Sequence, residues 1–401
     1  MAEVPELPLS GLRVLDLTTT LAGPYASQIL GDFGADVIKI EAPGGDGIRD
    51  AGPARNPGMS AVFLGLNRNK RSVELDLKSK PARQALWRLV DGADVFLHAI
   101  RPQKIAALSF SPDAVMARKP DIVYGALHGY REDGPYGGRP AYDDVVQGEA
   151  GITATFAARD GAPAMVPSSF VDKSTGLITA NGLLAAVVRR LRTGRGVYLE
   201  VGMLEAMVAY NLVEHLYGRT FVPAEGSAGY ERAVSPYRRP HATKDGHLCM
   251  LPYTDKQWRS FWAVAGKPEL ADDPRYATMK ARSRNIDDLY RTAGEMLAGR
   301  TTADWLAAFG AADIPAGRVN DFDDLFVDPH LRAIDFFRTY DHPSEGPIVT
   351  PDTPYRVDGK SLPVHRPHPK LGEHTREVLS EAGLSDAEID AIIQPAREVS
   401  N

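Results

Sequence analysis

A single cysteine, Cys249, occurs among 401 residues, which excludes an internal disulfide framework and predicts a reducing, cytoplasmic setting. Its surroundings, His247-Leu248-Cys249-Met250-Leu251, read as a buried strand. Long hydrophobic runs are missing too: the most apolar stretch, 177–188, is interrupted by Asn181 and is too short to span a bilayer. The N-terminus has neither the basic segment nor the unbroken apolar core of a leader, so no membrane partner is expected. No charge sign dominates, since 46 Lys and Arg face 52 Asp and Glu for a net charge of −6. A general nucleic-acid binder is therefore not expected, although a local basic cluster can still hold phosphates.

Several catalytic signatures are absent as well. The first strand-to-helix turn, Thr18-Thr19-Thr20-Leu21-Ala22-Gly23-Pro24, lacks the glycine fingerprint of a dinucleotide site, which disfavours a nicotinamide or flavin dehydrogenase. Glu41, at the end of a predicted strand, then reads as a solvent charge rather than a ribose ligand. There is no Walker sequence and no Gly-x-Ser-x-Gly elbow. His128, His241, His247 and the C-terminal histidines show no metal-ligand spacing, so they are read as structural or exposed, and no metal is expected.

What is present is ordinary globular composition, 43% hydrophobic and 24% charged, at a length that suggests two or three domains. Strand-like 12–17, helical 24–33 with proline near its start, and strand-like 36–41 make a βαβ unit. The alternation continues with strands at 73–77, 95–99, 122–127 and 197–201 and a helix at 82–90. This predicts an α/β fold built on an open, mostly parallel sheet. A long helix is read over 204–217. Composition then shifts at 222–240 to Pro, Gly, Ser and Arg, as in a linker or active-site loop, before helical segments at 258–265, 286–297 and 302–309 with Thr301 or Thr302 as a cap. A proline- and glycine-rich run at 351–369 precedes two last helices and a tail. The expected domains are 1–205 (large, N-terminal part), 206–235 (linker), 236–320 (small) and 321–401 (a return segment completing the large domain).

Asp172, in Ser168-Ser169-Phe170-Val171-Asp172-Lys173-Ser174-Thr175-Gly176, precedes a helical pattern over 177–191 that closes on Arg189, Arg190 and Arg192. It reads as an N-cap. Helix-terminal amides favour its ionised form, suited to a nucleophile or general base; an ordinary capping role explains the same residues. Asn67-Arg68-Asn69-Lys70-Arg71 with Lys78, and Arg101 with Lys104, are basic clusters at which phosphates, or solvent, would be at home. Tyr142-Asp143-Asp144 reads as a substrate loop or a helix start.

Gly11-Leu12-Arg13-Val14-Leu15-Asp16, Ala22-Gly23-Pro24, Leu30-Gly31-Asp32-Phe33-Gly34-Ala35-Asp36-Val37-Ile38-Lys39-Ile40-Glu41-Ala42-Pro43 and 67–78 closely resemble the class III coenzyme A transferases. The similarity continues through 94–102, Gly134-Pro135, Tyr142, Asp172, 192–196 and Leu371-Gly372-Glu373-His374-Thr375. It implies a large Rossmann-like domain plus a smaller α+β domain, in an interlocked homodimer. It also implies a CoA-transferase that moves CoA from an acyl-CoA donor, succinyl-CoA-like, to a small organic carboxylate, with no cofactor beyond CoA as substrate. Asp172 falls at the nucleophile's position and would form mixed-anhydride and aspartyl-CoA intermediates. Oxyanion donors are expected from amides near the helix start or from the loop 226–229.

The family's CoA contacts carry over to Leu21, Ala22, Leu75, Lys78, Ala99, Ile100, Arg101, Lys104, Tyr142 and Asp143. The sequence departs from the pattern at His98-Ala99-Ile100, where relatives commonly carry Glu-Asn-Phe, and at Ala42 and Ala107, where they often carry a contacting arginine. The glycine-run loop of the formyl-CoA enzyme is not reproduced either, which counts against oxalate as acceptor. Two rival readings are an acyl-CoA racemase or isomerase on the same scaffold and a non-catalytic CoA-binding dimer. A racemase needs two proton-transfer groups about the α-carbon, and Tyr142 stands where that branch has histidine; a phenol is a poor base near neutral pH.

Overall fold

The computed structural model describes residues 7–399; the extreme N-terminus read above for a leader and the end of the C-terminal tail lie outside them. Six strands come from the first half of the chain: β1 (Arg13–Leu17), β2 (Asp36–Glu41), β3 (Lys70–Glu74), β4 (Val95–His98), β5 (Val123–His128) and β6 (Val197–Gly202). They form one sheet in the order β3-β2-β1-β4-β5-β6, with every neighbouring pair parallel. Parallel neighbours need crossover connections, whose helices cover both faces, so the strands must be apolar on both sides. One face packs Leu15, Ile38, Phe96 and Tyr124 against Ala82 and Leu86 of helix Lys80–Asp91. The other packs Val14, Val37, Leu97 and Val123 against Leu183 and Val187 of the long helix Phe170–Thr193. The expected α/β class follows from this alternation of strand and helix.

The order reverses between β1 and β4, so the connections leaving those two strands diverge and open a crevice at their C-terminal ends.

Four local readings are corrected. β3 starts at Lys70, not Val73, because its cations are internal. Lys70 Nζ lies 2.9 Å from both Pro24 O and Asn67 Oδ1 and 3.3 Å from Asp16, and Arg68 pairs with Asp32 at 2.7 Å. Arg71 pairs with Asp36, Glu377 and Glu381. The run 67–71 is therefore buried ion-pair structure and not a place for phosphates. Glu41 is no solvent charge either: it is buried, bonded to Arg49 at 2.7 Å and Ser72 at 2.6 Å. Cys249 lies in a strand as expected, yet it is exposed, since strand alternation turns Leu248 inward and Cys249 outward.

The chain divides into two compact units. The first takes in the described residues of Met1–Ala150, Val166–Tyr210 and Asp335–Asn401; the second takes in Gly151–Met165 and Asn211–Ile334. The return thus begins at 335 rather than 321, after short helices Phe322–Val327 and Pro329–Ala333. Nor is 206–235 a linker. Helix Met203–His215 runs into it, and a helical turn Glu231–Val234 lies at its end. Glycine and proline suppress regular structure there without preventing close packing: a Cβ on Gly218 would fall 2.5 Å from Gly226, and the Gly229 amide donates to His215 O at 2.8 Å.

In the second unit, helices Asp255–Val264, Ile286–Leu297 and Thr302–Ala311, two of them capped by Thr254 and Thr301, enclose Trp258, Phe261, Trp262, Trp305 and Phe309. Beside them is a three-stranded antiparallel sheet, β7 (His241–Ala242), β8 (His247–Met250) and β9 (Ala316–Arg318). In the first unit the return segment supplies helices Thr375–Glu381 and Asp386–Val399, whose Val378, Leu379 and Ile389 are fully buried against the sheet. Among the described residues no helix is long and apolar enough to cross a membrane.

Candidate active site

The crevice predicted by strand order is a cavity of about 370 Å³ within the first unit. Its walls are residues 19–23 after β1, Ala99, Arg101, Pro102 and Lys104 after β4, 127–130 at the end of β5 and 138–142, with Asp172 and Met203. Every wall but the last two is a connection leaving the C-terminal end of a strand, where open α/β sheets hold their ligands.

Asp172 is the third residue of α5 (Phe170–Thr193), so it is not the N-cap; Ser169 holds that place without a side-chain cap bond. Asp143, the first residue of α4 (Asp143–Glu149), takes over part of the capping: its Oδ2 accepts the Asp172 amide at 3.0 Å. Gln147, one turn along, donates to Asp143 Oδ1 at 2.6 Å and accepts from the Val166 amide at 2.8 Å. The segment leading into α5 is thereby clamped. Burial, then the negative charges of Asp143 and Asp144, push the Asp172 carboxyl up to about 6. The lowering expected from helix amides is reversed, first by burial and then because Asp143 occupies the amide of Asp172 and adds its own charge. At pH 7 roughly nine-tenths of such a group is ionised, with a basicity above that of an ordinary carboxylate.

Close helix contact sets the position of Asp172. One turn beyond it, a Cβ on Gly176 would fall 2.7 Å from Ala22 O and 3.1 Å from the Tyr25 ring, so glycine is what lets α5 rest on the start of α1 (Ala22–Asp32). That start is the far end of the 19–23 loop. The loop itself hangs on buried charges. Thr20 is left-handed, φ 71°, and its amide donates to Asp46 at 3.0 Å; Lys39 Nζ donates to Asp46 Oδ2 and Thr18 O, both at 2.9 Å. Burial disfavours the Lys39 charge, but Asp16, Asp46 and Glu41 outweigh it and raise its pKa.

Of the residues expected at the site, Leu21, Ala22, Ala99, Arg101, Lys104, Tyr142 and Asp172 line the cavity. Tyr142 is 70% exposed. Leu75 is instead buried in the sheet core, Ile100 packs against that core, and Lys78 is exposed outside the cavity wall. Asp143 is buried, with its oxygens bonded to Asp172 N and Gln147. Sequence reasoning missed Arg139, which lines the cavity with its guanidinium 4.4 Å from the Tyr136 ring centre. The turn sequence Gly137-Gly138-Arg139-Pro140 just before Tyr142 carried that signal. It also missed His128 and Tyr130, which sequence places only at the end of a strand.

A cationic side (Arg101, Lys104, Arg139) and one buried carboxylate thus share a cavity. The family model CoA-transferase family III matches residues 9–375. A mouse succinyl-CoA:glutarate CoA-transferase is 32% identical over 93% of this chain and 86% of its own length. The probable fatty acyl-CoA transferase Rv3272 of Mycobacterium tuberculosis is 33% identical over 94% of this chain and 98% of its own, and its orthorhombic crystal form superposes with a TM-score of 0.80 over 93% and 99% of the two chains. A CAIB/BAIF family protein from Brucella suis, 30% identical, superposes at 0.78 over 94% of this chain and all of that one. Sheet order, cavity position and these similarities agree, and the chain belongs to CoA-transferase family III.

Proposed function

We propose that the protein transfers coenzyme A from an acyl-CoA donor of the succinyl-CoA kind to a small organic carboxylate, with Asp172 as the covalent nucleophile. The buried Asp172 carboxylate in the wall of a cation-lined cavity carries this reading. Its Oδ attacks the donor thioester carbonyl, CoA thiolate leaves, and an aspartyl mixed anhydride forms. Thiolate then attacks the aspartyl carbonyl, which releases the donor's carboxylate and leaves an aspartyl-CoA thioester. The acceptor carboxylate attacks that thioester to give a second anhydride. Thiolate finally takes the acceptor's acyl group and frees Asp172. Every step exchanges one carboxyl oxygen for sulfur or the reverse, so no proton has to be supplied and thioester energy is conserved. The named activity of the mouse relative supports the substrate classes. Arg101, Lys104 and Arg139 are suited to the phosphates of CoA.

The test is direct. Asp172→Ala abolishes transfer from succinyl-CoA to a panel of dicarboxylates while CoA still binds, and hydroxylamine during turnover modifies Asp172 in the parent enzyme; an Asp172→Ala protein with near-parental transfer overturns the mechanism. Arg101→Ala or Lys104→Ala raises KM for the CoA donor by roughly tenfold, the effect of one charge-assisted hydrogen bond, and leaves KM for the acceptor nearly unchanged. Deuterium incorporation at the α-carbon of a chiral 2-methylacyl-CoA, without CoA exchange, would favour the racemase instead.

A further inference from the structure

We propose that His128, Glu132 and Glu200 form a site for one divalent transition-metal ion of the zinc class, which braces the cavity wall at the edge of the sheet. His128 ends β5 and Glu200 lies in β6, where the register pairs Ala126 with Glu200 and His128 with Gly202. Two-residue alternation therefore puts both side chains on one sheet face. The chain turns after Gly129, and the Glu132 amide donates to Glu200 Oε1 at 2.7 Å, which carries the Glu132 carboxylate back to the imidazole.

His128 Nδ1 lies 3.3 Å from Glu132 Oε1 and 3.8 Å from Glu200 Oε1, and the donor atoms of the three residues all lie within 4.8 Å of one another. Donors at about 2.1 Å around a tetrahedral zinc are about 3.4 Å apart. His128 is only 7% exposed, yet neither ring nitrogen has a hydrogen-bond partner among the described residues. Such a buried polar group calls for a ligand or a partner. Charge agrees, because two carboxylates and a neutral imidazole sum to −2, balanced by one divalent cation. Glu200 is already oriented by the Glu132 amide, the outer support that metal ligands need.

His128 also lines the cavity, and the segment 129–132 continues into the wall at 138–142, so the ion would tie the ends of β5 and β6 to that wall. The full chain, stripped with chelator, is titrated with Zn²⁺ by calorimetry, and its metal content is measured after gel filtration. One equivalent per chain is expected with Kd below about 1 µM, weakened roughly 100-fold in Glu132→Gln and in Glu200→Gln, together with a Zn²⁺-dependent rise in Tm that both variants lose. Circular dichroism confirms that the variants are folded. No stoichiometric zinc on the parent chain, or an affinity in either variant equal to that of the parent, overturns the proposal and leaves His128 and the two glutamates as an ordinary polar cluster.

Discussion

At the scale of the residue, Asp172 joins two opposing demands. Folding raises its pKa from 3.8 to about 6, through burial and then Asp143 and Asp144. The fold therefore favours its protonated form, and the stability tied to this group is complete below about pH 4 and is lost as pH rises through 6. Asp172→Asn accordingly stabilises the protein at pH 8, by on the order of 2 kcal/mol, and has no such effect at pH 4; urea unfolding at the two pH values measures the difference. Under the proposed mechanism activity runs the other way, and kcat/KM falls below about pH 6 as Asp172 takes up a proton. A stabilising substitution that removes function is common where a site holds a group in an unfavourable state. The acidic residue in the first turn was legible in the sequence. Its raised pKa was not, because that comes from carboxylates about 29 positions upstream that only folding brings close.

At the scale of the element, the contact between α1 and α5 decides where that carboxylate stands. Gly176 has no room for a Cβ against Ala22 O, so Gly176→Ala pushes the helices apart. A loss of about 1–3 kcal/mol in unfolding free energy is expected, with a fall in kcat larger than the rise in KM for CoA, because the displaced element carries Asp172 while the cations lie on other connections. Thermal unfolding and steady-state kinetics on the same preparation test both parts. The basic strand β3 teaches a complementary lesson. Read along the chain, Arg68, Lys70 and Arg71 look like a phosphate cluster; in the fold each faces a carboxylate from β1, β2 or α1. The pattern of cations was visible, but the anions that consume them lie 35 to 310 positions away.

At the scale of the whole molecule, the first unit is discontinuous and depends on its last segment. Leu379 is fully buried in the same cluster as Leu15, Ile38 and Phe96, more than 280 residues earlier in the chain. Leu379→Ala leaves a cavity in that core and costs about 2–5 kcal/mol, which should lower the unfolding midpoint of the unit that holds Asp172 and reduce the active fraction in proportion. Arg71 adds a second tie, from β3 to Glu377 and Glu381 on the returning helix.

Local order along the chain was enough to determine the class of fold: alternating apolar strands and amphipathic helices leave a parallel sheet as the economical way to bury both, and the strand order then places a crevice at the ends of β1 and β4. Sequence also singled out Asp172, Arg101, Lys104 and Tyr142, which the crevice brings together. Tertiary structure decided which charges are free and which are spent. Arg68, Lys70, Arg71 and Glu41 were withdrawn into ion pairs, Leu75 into the core and Asp143 behind the carboxylate it supports, while Arg139 and His128 were brought into the cavity wall. The physical reason is the same in each case. Periodicity reports which side of an element is apolar, whereas the ionisation and availability of a polar group depend on partners supplied by distant segments and on the water that packing removes.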